Sequence, residues 1–124
     1  MAIARLYNVE SADVMPEVMR FVECVKNIDG VESVILFGSL ARNEMTAASD
    51  IDLAIIVAQP SHVKALKETV RQCKRTNLTW PADIFICDRD WYEKRKNFGG
   101  ICVAIATQGK IIFEKQKGGL TSGT

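Results

Sequence analysis

The chain has 124 residues, 48% of them hydrophobic and 25% charged, with a formal net charge of +1. That length suits one domain around a single two-layer core. The small net charge excludes a broad field that would recruit nucleic acid or an anionic membrane, so a phosphate ligand must be held by local groups.

Residues 1–10, "MAIARLYNVE", lack the apolar core of a signal peptide and give no clear element. Residues 13–29 predict a helix, because Val18, Phe21, Val22, Val25 and Ile28 form one apolar stripe. Pro16 fits its first turn and Gly30 its C-terminal cap. "SVILF", residues 33–37, predicts a short buried strand, and "IDLAIIVA", residues 51–58, a second. Pro60 ends that strand. Ser61 is a suitable cap for a helix over 61–76, with Val63, Leu66, Val70 and Cys73 as its stripe. After Pro81, "DIFIC" at 83–87 predicts a third strand. Asp90 and Glu93 have the spacing of a capping box for a helix near 90–97. A short helix near 101–107 and a last strand, "KIIFE" at 110–114, follow. The segment from Lys115 onward is predicted to be a disordered tail.

The link between the first two strands is too short for a parallel crossover. The expected fold class is therefore an α/β (α+β) two-layer sandwich, a mixed and mostly antiparallel sheet with helices on one face. No apolar run reaches the roughly 18 residues of a membrane span. The cysteines, Cys24, Cys73, Cys87 and Cys102, are scattered, with no C-x-x-C pair and only one histidine, His62. That argues against a zinc site and a disulfide framework, and for buried, reduced thiols in a cytoplasmic protein. His62 reads as a solvated residue in the first turn of its helix. Lys64, Lys67, Lys74 and Arg75 read as that helix's solvated face.

One constellation carries chemistry. Asp50 and Asp52 stand at i and i+2 at the start of a strand, so period-two geometry sends both carboxylates to one face. Two carboxylates so close repel unless a cation intervenes, and an all-oxygen site favours Mg²⁺ or Mn²⁺. Asp83 opens the third strand and would complete a triad if that strand lies beside the second. Three carboxylates can hold two metals about 3.5–4 Å apart for phosphoryl transfer. Gly38 and Ser39 follow the first strand directly; a helical turn there would present free N–H groups and a hydroxyl to an anion. Arg42, three residues after Ser39, can reach a phosphate oxygen from the same side. An EF-hand is excluded because Ala54 and Ile55 occupy its next ligand and glycine positions. A Walker loop lacks its Gly-Lys-Ser/Thr, and a nucleophile elbow at Ser39 lacks its flanking glycines, Phe37 and Ala41 standing there instead.

The run "FGSLAR", with "SDIDLAIIV" after it, resembles the signature of the DNA polymerase β-like nucleotidyltransferase superfamily, and in particular its minimal nucleotidyltransferases. "DIFICDRDWYEKR" and "GKIIFE" extend the resemblance over roughly residues 13–114. It implies one nucleotidyltransferase domain over residues 1–115, with 116–124 as the tail. It implies that Gly38 and Ser39 hold the β- and γ-phosphates of a nucleotide, with Arg42 nearby. Asp50 and Asp52 would ligate Mg²⁺ or Mn²⁺, and Asp83 would join them and orient or deprotonate the acceptor hydroxyl. Many relatives have glycine where Asn43 stands, and asparagine tolerates the left-handed backbone better than most residues. The implied activity is transfer of a nucleoside monophosphate, AMP from ATP, to a hydroxyl. Larger relatives carry a helical acceptor domain and none is expected in this sequence, so the resemblance implies a helical HEPN-type partner, as in a toxin–antitoxin pair. Two other readings stay open: a stand-alone antibiotic nucleotidyltransferase, and a non-catalytic nucleotide- or partner-binding module. A homo-oligomer also stays open.

Overall fold

The computed structural model describes residues 11–115. The ambiguous segment 1–10 and the expected tail 116–124 lie outside the described residues. The elements are α1 (Ser11–Val25), β1 (Val31–Phe37), α2 (Gly38–Ala41), β2 (Ile51–Val57), α3 (Pro60–Asn77), β3 (Ala82–Asp88), α4 (Arg89–Arg95), α5 (Ile101–Gln108) and β4 (Lys110–Glu114). The strands form one sheet in the order β3-β2-β1-β4. β1 is antiparallel to both β2 and β4, whereas β2 and β3 run parallel, α3 supplying their crossover.

Alternation along the strands builds two apolar layers. Val34 and Leu36 of β1, with Ile51, Leu53, Ile55 and Val57 of β2, face the stripes of α1 and α3. Phe21, Val18 and Val25 from α1 and Leu66, Val70 and Cys73 from α3 close that core. Burying each such side chain contributes about 1.5–3 kcal/mol. Ile35, Phe37, Ala54, Ile56 and Cys87 point the other way and meet Ile105 of α5. The two long helices therefore cover one face, as the two-layer expectation has it, and the short α4 and α5 partly cover the second. Asp52 belongs to this second face.

Several local expectations need correction. Helix α1 stops at Val25, and a turn carries the chain to Gly30 at φ +94°; Pro16 sits inside the helix instead of in its first turn. Gln59 precedes α3 as its N-cap and Pro60 takes the first turn, so Ser61 is helical and caps nothing. Asp88, not Asp90, caps α4, its carboxylate accepting from the Trp91 N–H at 3.0 Å. His62 is half-buried against Gly30, where an added Cβ would lie 2.5 Å from the ring Cγ, and its Nδ1 is buried without a partner. The thiol expectation also fails in part. Packing of α1 on α3 brings Cys24 and Cys73 together, Cα atoms 5.8 Å apart, as a disulfide, and Cys24 is exposed. Cys87 and Cys102 are buried free thiols, and burial pushes Cys87 up to about 12. Among the described residues no helix is long and apolar enough to cross a membrane.

Candidate active site

The antiparallel register sets Phe37, the last residue of β1, opposite Asp52. The chain then turns sharply: Gly38 takes φ +74°, a region glycine enters without penalty, and begins the four-residue α2. An added Cβ on Gly38 would collide with the Asp52 carboxylate, lying 2.9 Å from its Cγ. The absence of a side chain here lets backbone approach a carboxylate. Ser39 follows in the same turn, and its carbonyl accepts from the Glu44 N–H at 2.8 Å. Asn43 adopts φ 59°, the left-handed conformation that suits asparagine.

On the other side of β2, the parallel register pairs Asp52 with Asp83. Adjacent residues of paired strands share a face, so the two carboxyl groups are neighbours. Asp50 ends the coil before β2. Asp50 and Asp83 are exposed and Asp52 is half-buried. The Asp52 carboxyl is raised above its ordinary value, first by burial, then by the charges of Asp83 and Asp50, with Arg42 opposing. The three aspartates and Arg42 therefore sit in one electrostatic neighbourhood at one end of the sheet. Arg42 is engaged elsewhere by hydrogen bonds: its Nε donates to Glu44 Oε1 at 2.9 Å and its Nη1 to Gln108 Oε1 at 2.7 Å. A cavity of about 760 Å³ opens near the other end of the strands, beside Gly30, His62 and Arg89, and none of the six candidate residues lines it.

Among the described residues no three acidic, histidine or cysteine side chains stand close enough together to hold a metal ion as they are. The chemistry of the set nonetheless suits a hard divalent cation. Its donors are all carboxylate oxygens, and their mutual repulsion on a partly desolvated Asp52 is what a cation relieves.

Two residues outside the sequence-derived set hold this geometry. The Glu17 carboxylate on α1 accepts from the backbone N–H groups of Thr79 at 2.8 Å and Trp80 at 3.2 Å, and from the Thr79 hydroxyl. Trp80 Nε1 donates to the Ser49 carbonyl at 3.0 Å. Pro81 O accepts from Ile51 N at 2.8 Å. The coils leading to Asp50 and to Asp83 are thus stitched together. Nothing in the sequence marks the bond from Trp80 to Ser49, and a glutamate on a helix's polar side carries no signal of a partner some sixty positions away.

The family model for the nucleotidyltransferase domain matches residues 18–117. The fold is similar to the crystal structure of a "putative nucleotidyltransferase" from Sulfolobus solfataricus, at 18% identity and TM-score 0.61, covering 86% of each chain. It is also similar to a chain of a toxin–antitoxin structure with AMP-PNP (21% identity, TM-score 0.55, 82% of this chain and 73% of that one). A mutant of the toxin–antitoxin MntA-HpeT aligns at 22% identity and TM-score 0.53, over 82% of this chain and 73% of that one. No curated protein compared matches the sequence. Matched over most of its length and folded as these structures are, the chain belongs to the nucleotidyltransferase domain family and is a nucleotidyltransferase.

Proposed function

We propose that the protein transfers AMP from ATP to a hydroxyl group of a helical, HEPN-type partner protein, as the enzyme of a toxin–antitoxin pair, and that transfer depends on Mg²⁺ or Mn²⁺. The observation that carries this reading is the register: Asp52 stands between Asp83 on β3 and the end of β1, where Gly38 packs on its carboxylate. Carboxylates on one side and backbone N–H groups on the other suit the opposite charges of a metal-bound triphosphate. The partner class rests on the likeness to chains of toxin–antitoxin complexes, one of them with AMP-PNP.

In this mechanism Gly38 and Ser39 receive the terminal phosphates through N–H groups and the Ser39 hydroxyl. Arg42 would exchange its contact with Gln108 for a phosphate oxygen. Asp50, Asp52 and Asp83 would hold the divalent cation, which when bound neutralises phosphate charge and screens the carboxylates from one another. Asp83, exposed at the strand end, orients the acceptor hydroxyl and takes its proton. The hydroxyl oxygen forms a bond to the α-phosphorus, the bond to the bridging oxygen breaks, and pyrophosphate leaves. The protein's contribution is positioning and fixed charge, without a covalent intermediate.

The test combines the protein, α-labelled ATP, Mg²⁺ and its co-purifying partner. The expected outcome is label on the partner, abolished by a chelator and by Asp50→Asn or Asp52→Asn with circular dichroism unchanged. Undiminished labelling by either variant overturns the mechanism. Label on an aminoglycoside with no partner present replaces the acceptor assignment.

A further inference from the structure

Strand β3 closes one side of the sheet, and no other strand pairs with its outer edge among the described residues. Pro81 O accepts from Ile51 N, so the carbonyl at 81 faces β2. Alternation in a parallel ladder then turns the N–H and C=O groups of Ala82, Ile84 and Ile86 away from β2. These outward groups have no backbone partner among the described residues. Beside them runs a groove of about 450 Å³ between β3 and α3. Its floor includes Val70, Ile84 and Ile86, its rim is Lys67, Arg71 and Lys74, and no acidic residue lines it among the described residues. The three cations stand at i, i+4 and i+7 of α3, one helical face. Arg71 pairs with Glu68 at 2.6 Å, both exposed, an arrangement worth little; Lys67 and Lys74 take no ion pair among the described residues.

We propose that this edge and groove dock an extended acidic segment of a partner polypeptide, which adds to the sheet as a fifth strand. The open backbone groups supply a ladder, and the basic rim supplies the sign of charge. Charge also selects among occupants. A second copy pairing β3 to β3 about a twofold axis would bring two rows of α3 cations together on one face. An acidic strand meets them with opposite sign. The alternation of a strand sets the pattern as well: acidic residues at the positions facing α3, and uncharged ones at the positions facing the side of Asp83 and Phe85, since a carboxylate there would oppose Asp83. The assignment goes beyond the catalytic reading and does not depend on it.

The probe is a fluorescein-labelled peptide of alternating Glu and Thr, matched in length to the seven residues of β3, with an alternating Lys and Thr peptide as its control. Neither assay contains nucleotide, so the result is separate from the test of nucleotidyl transfer. Fluorescence anisotropy is expected to show salt-sensitive binding of the acidic peptide only. Hydrogen exchange is expected to slow at the Ile84 and Ile86 amides. The double variant Lys67→Glu, Lys74→Glu, used once its circular dichroism and melting curve match the parent's, is expected to lose tenfold or more in affinity. Binding that leaves those two amides unprotected overturns the proposal, as does equal binding of the basic peptide. So does a wild-type protein that ignores both peptides while the double variant self-associates, because the lysines then serve only to keep the edge from aggregating.

Discussion

Glu17 fastens the coil before Asp83 to the first helix with three hydrogen bonds to Thr79 and Trp80. Its carboxyl is held below its ordinary value of 4.5, first by the Thr79 side chain. The folded state therefore binds this proton less readily than the unfolded state. The stability that the contact contributes is present above about that ordinary value and is lost as pH falls through the lowered one. Glu17→Gln is expected to lower the melting temperature at neutral pH, with the gap to the parent protein narrowing in acid. An equal gap at both ends of a pH series of melting curves would show that the charge does not matter. Asp52 illustrates the other sign: it is half-buried beside two carboxylates, and its carboxyl is raised above its ordinary value, first by burial and then by the charges of Asp83 and Asp50. At this scale the proposed site residues could be picked out as a set, and the residues that support them could not. Asp50, Asp52, Gly38 and Ser39 sit in a local pattern whose chemistry needs those residue types. Glu17 acts across the chain, and nothing near it in sequence marks the coil it holds.

At the level of elements, the strands could be read because each is a short apolar run beside a turn residue. Placing Asp83 next to Asp52 required only that β3 lie beside β2, and α3 is long enough for that crossover. The caps were harder. Gln59 holds the cap position of α3 with no side-chain bond, and Pro60 alone fixes the start. Asp88 took the cap of α4 because β3 runs one residue further than its apolar core suggests. The Cys24–Cys73 link was hidden because nothing in linear spacing announces that α1 lies on α3. It closes a separation of 49 residues, for which the chain-entropy relation gives about 4 kcal/mol. Cys24→Ser is expected to lower the urea-derived unfolding free energy by about 2–4 kcal/mol in oxidised protein. Reductant should destabilise the parent by a similar amount and leave the variant unchanged. A variant as stable as the parent would mean that the two sulfurs are neighbours without a bond.

For the whole molecule, the two-layer plan followed from length and from strands that read as buried. The second apolar layer did not, because Ile105 looks like part of any short hydrophobic stretch until Ile35, Phe37 and Ala54 are seen to face it. β1 lies between β2 and β4, and its Ser33 pairs with Glu114 at the far end of the described chain. A ribosome therefore releases β1 well before its second neighbour. Until that neighbour emerges, the strand that carries the chain into the Gly38 turn has one flank bare, and "VILF" is the kind of sequence that other chains can pair with. The sheet is complete only once synthesis has passed Glu114. A chain cut before Lys110 is expected to be recovered from the insoluble fraction even though every proposed site residue is present in it.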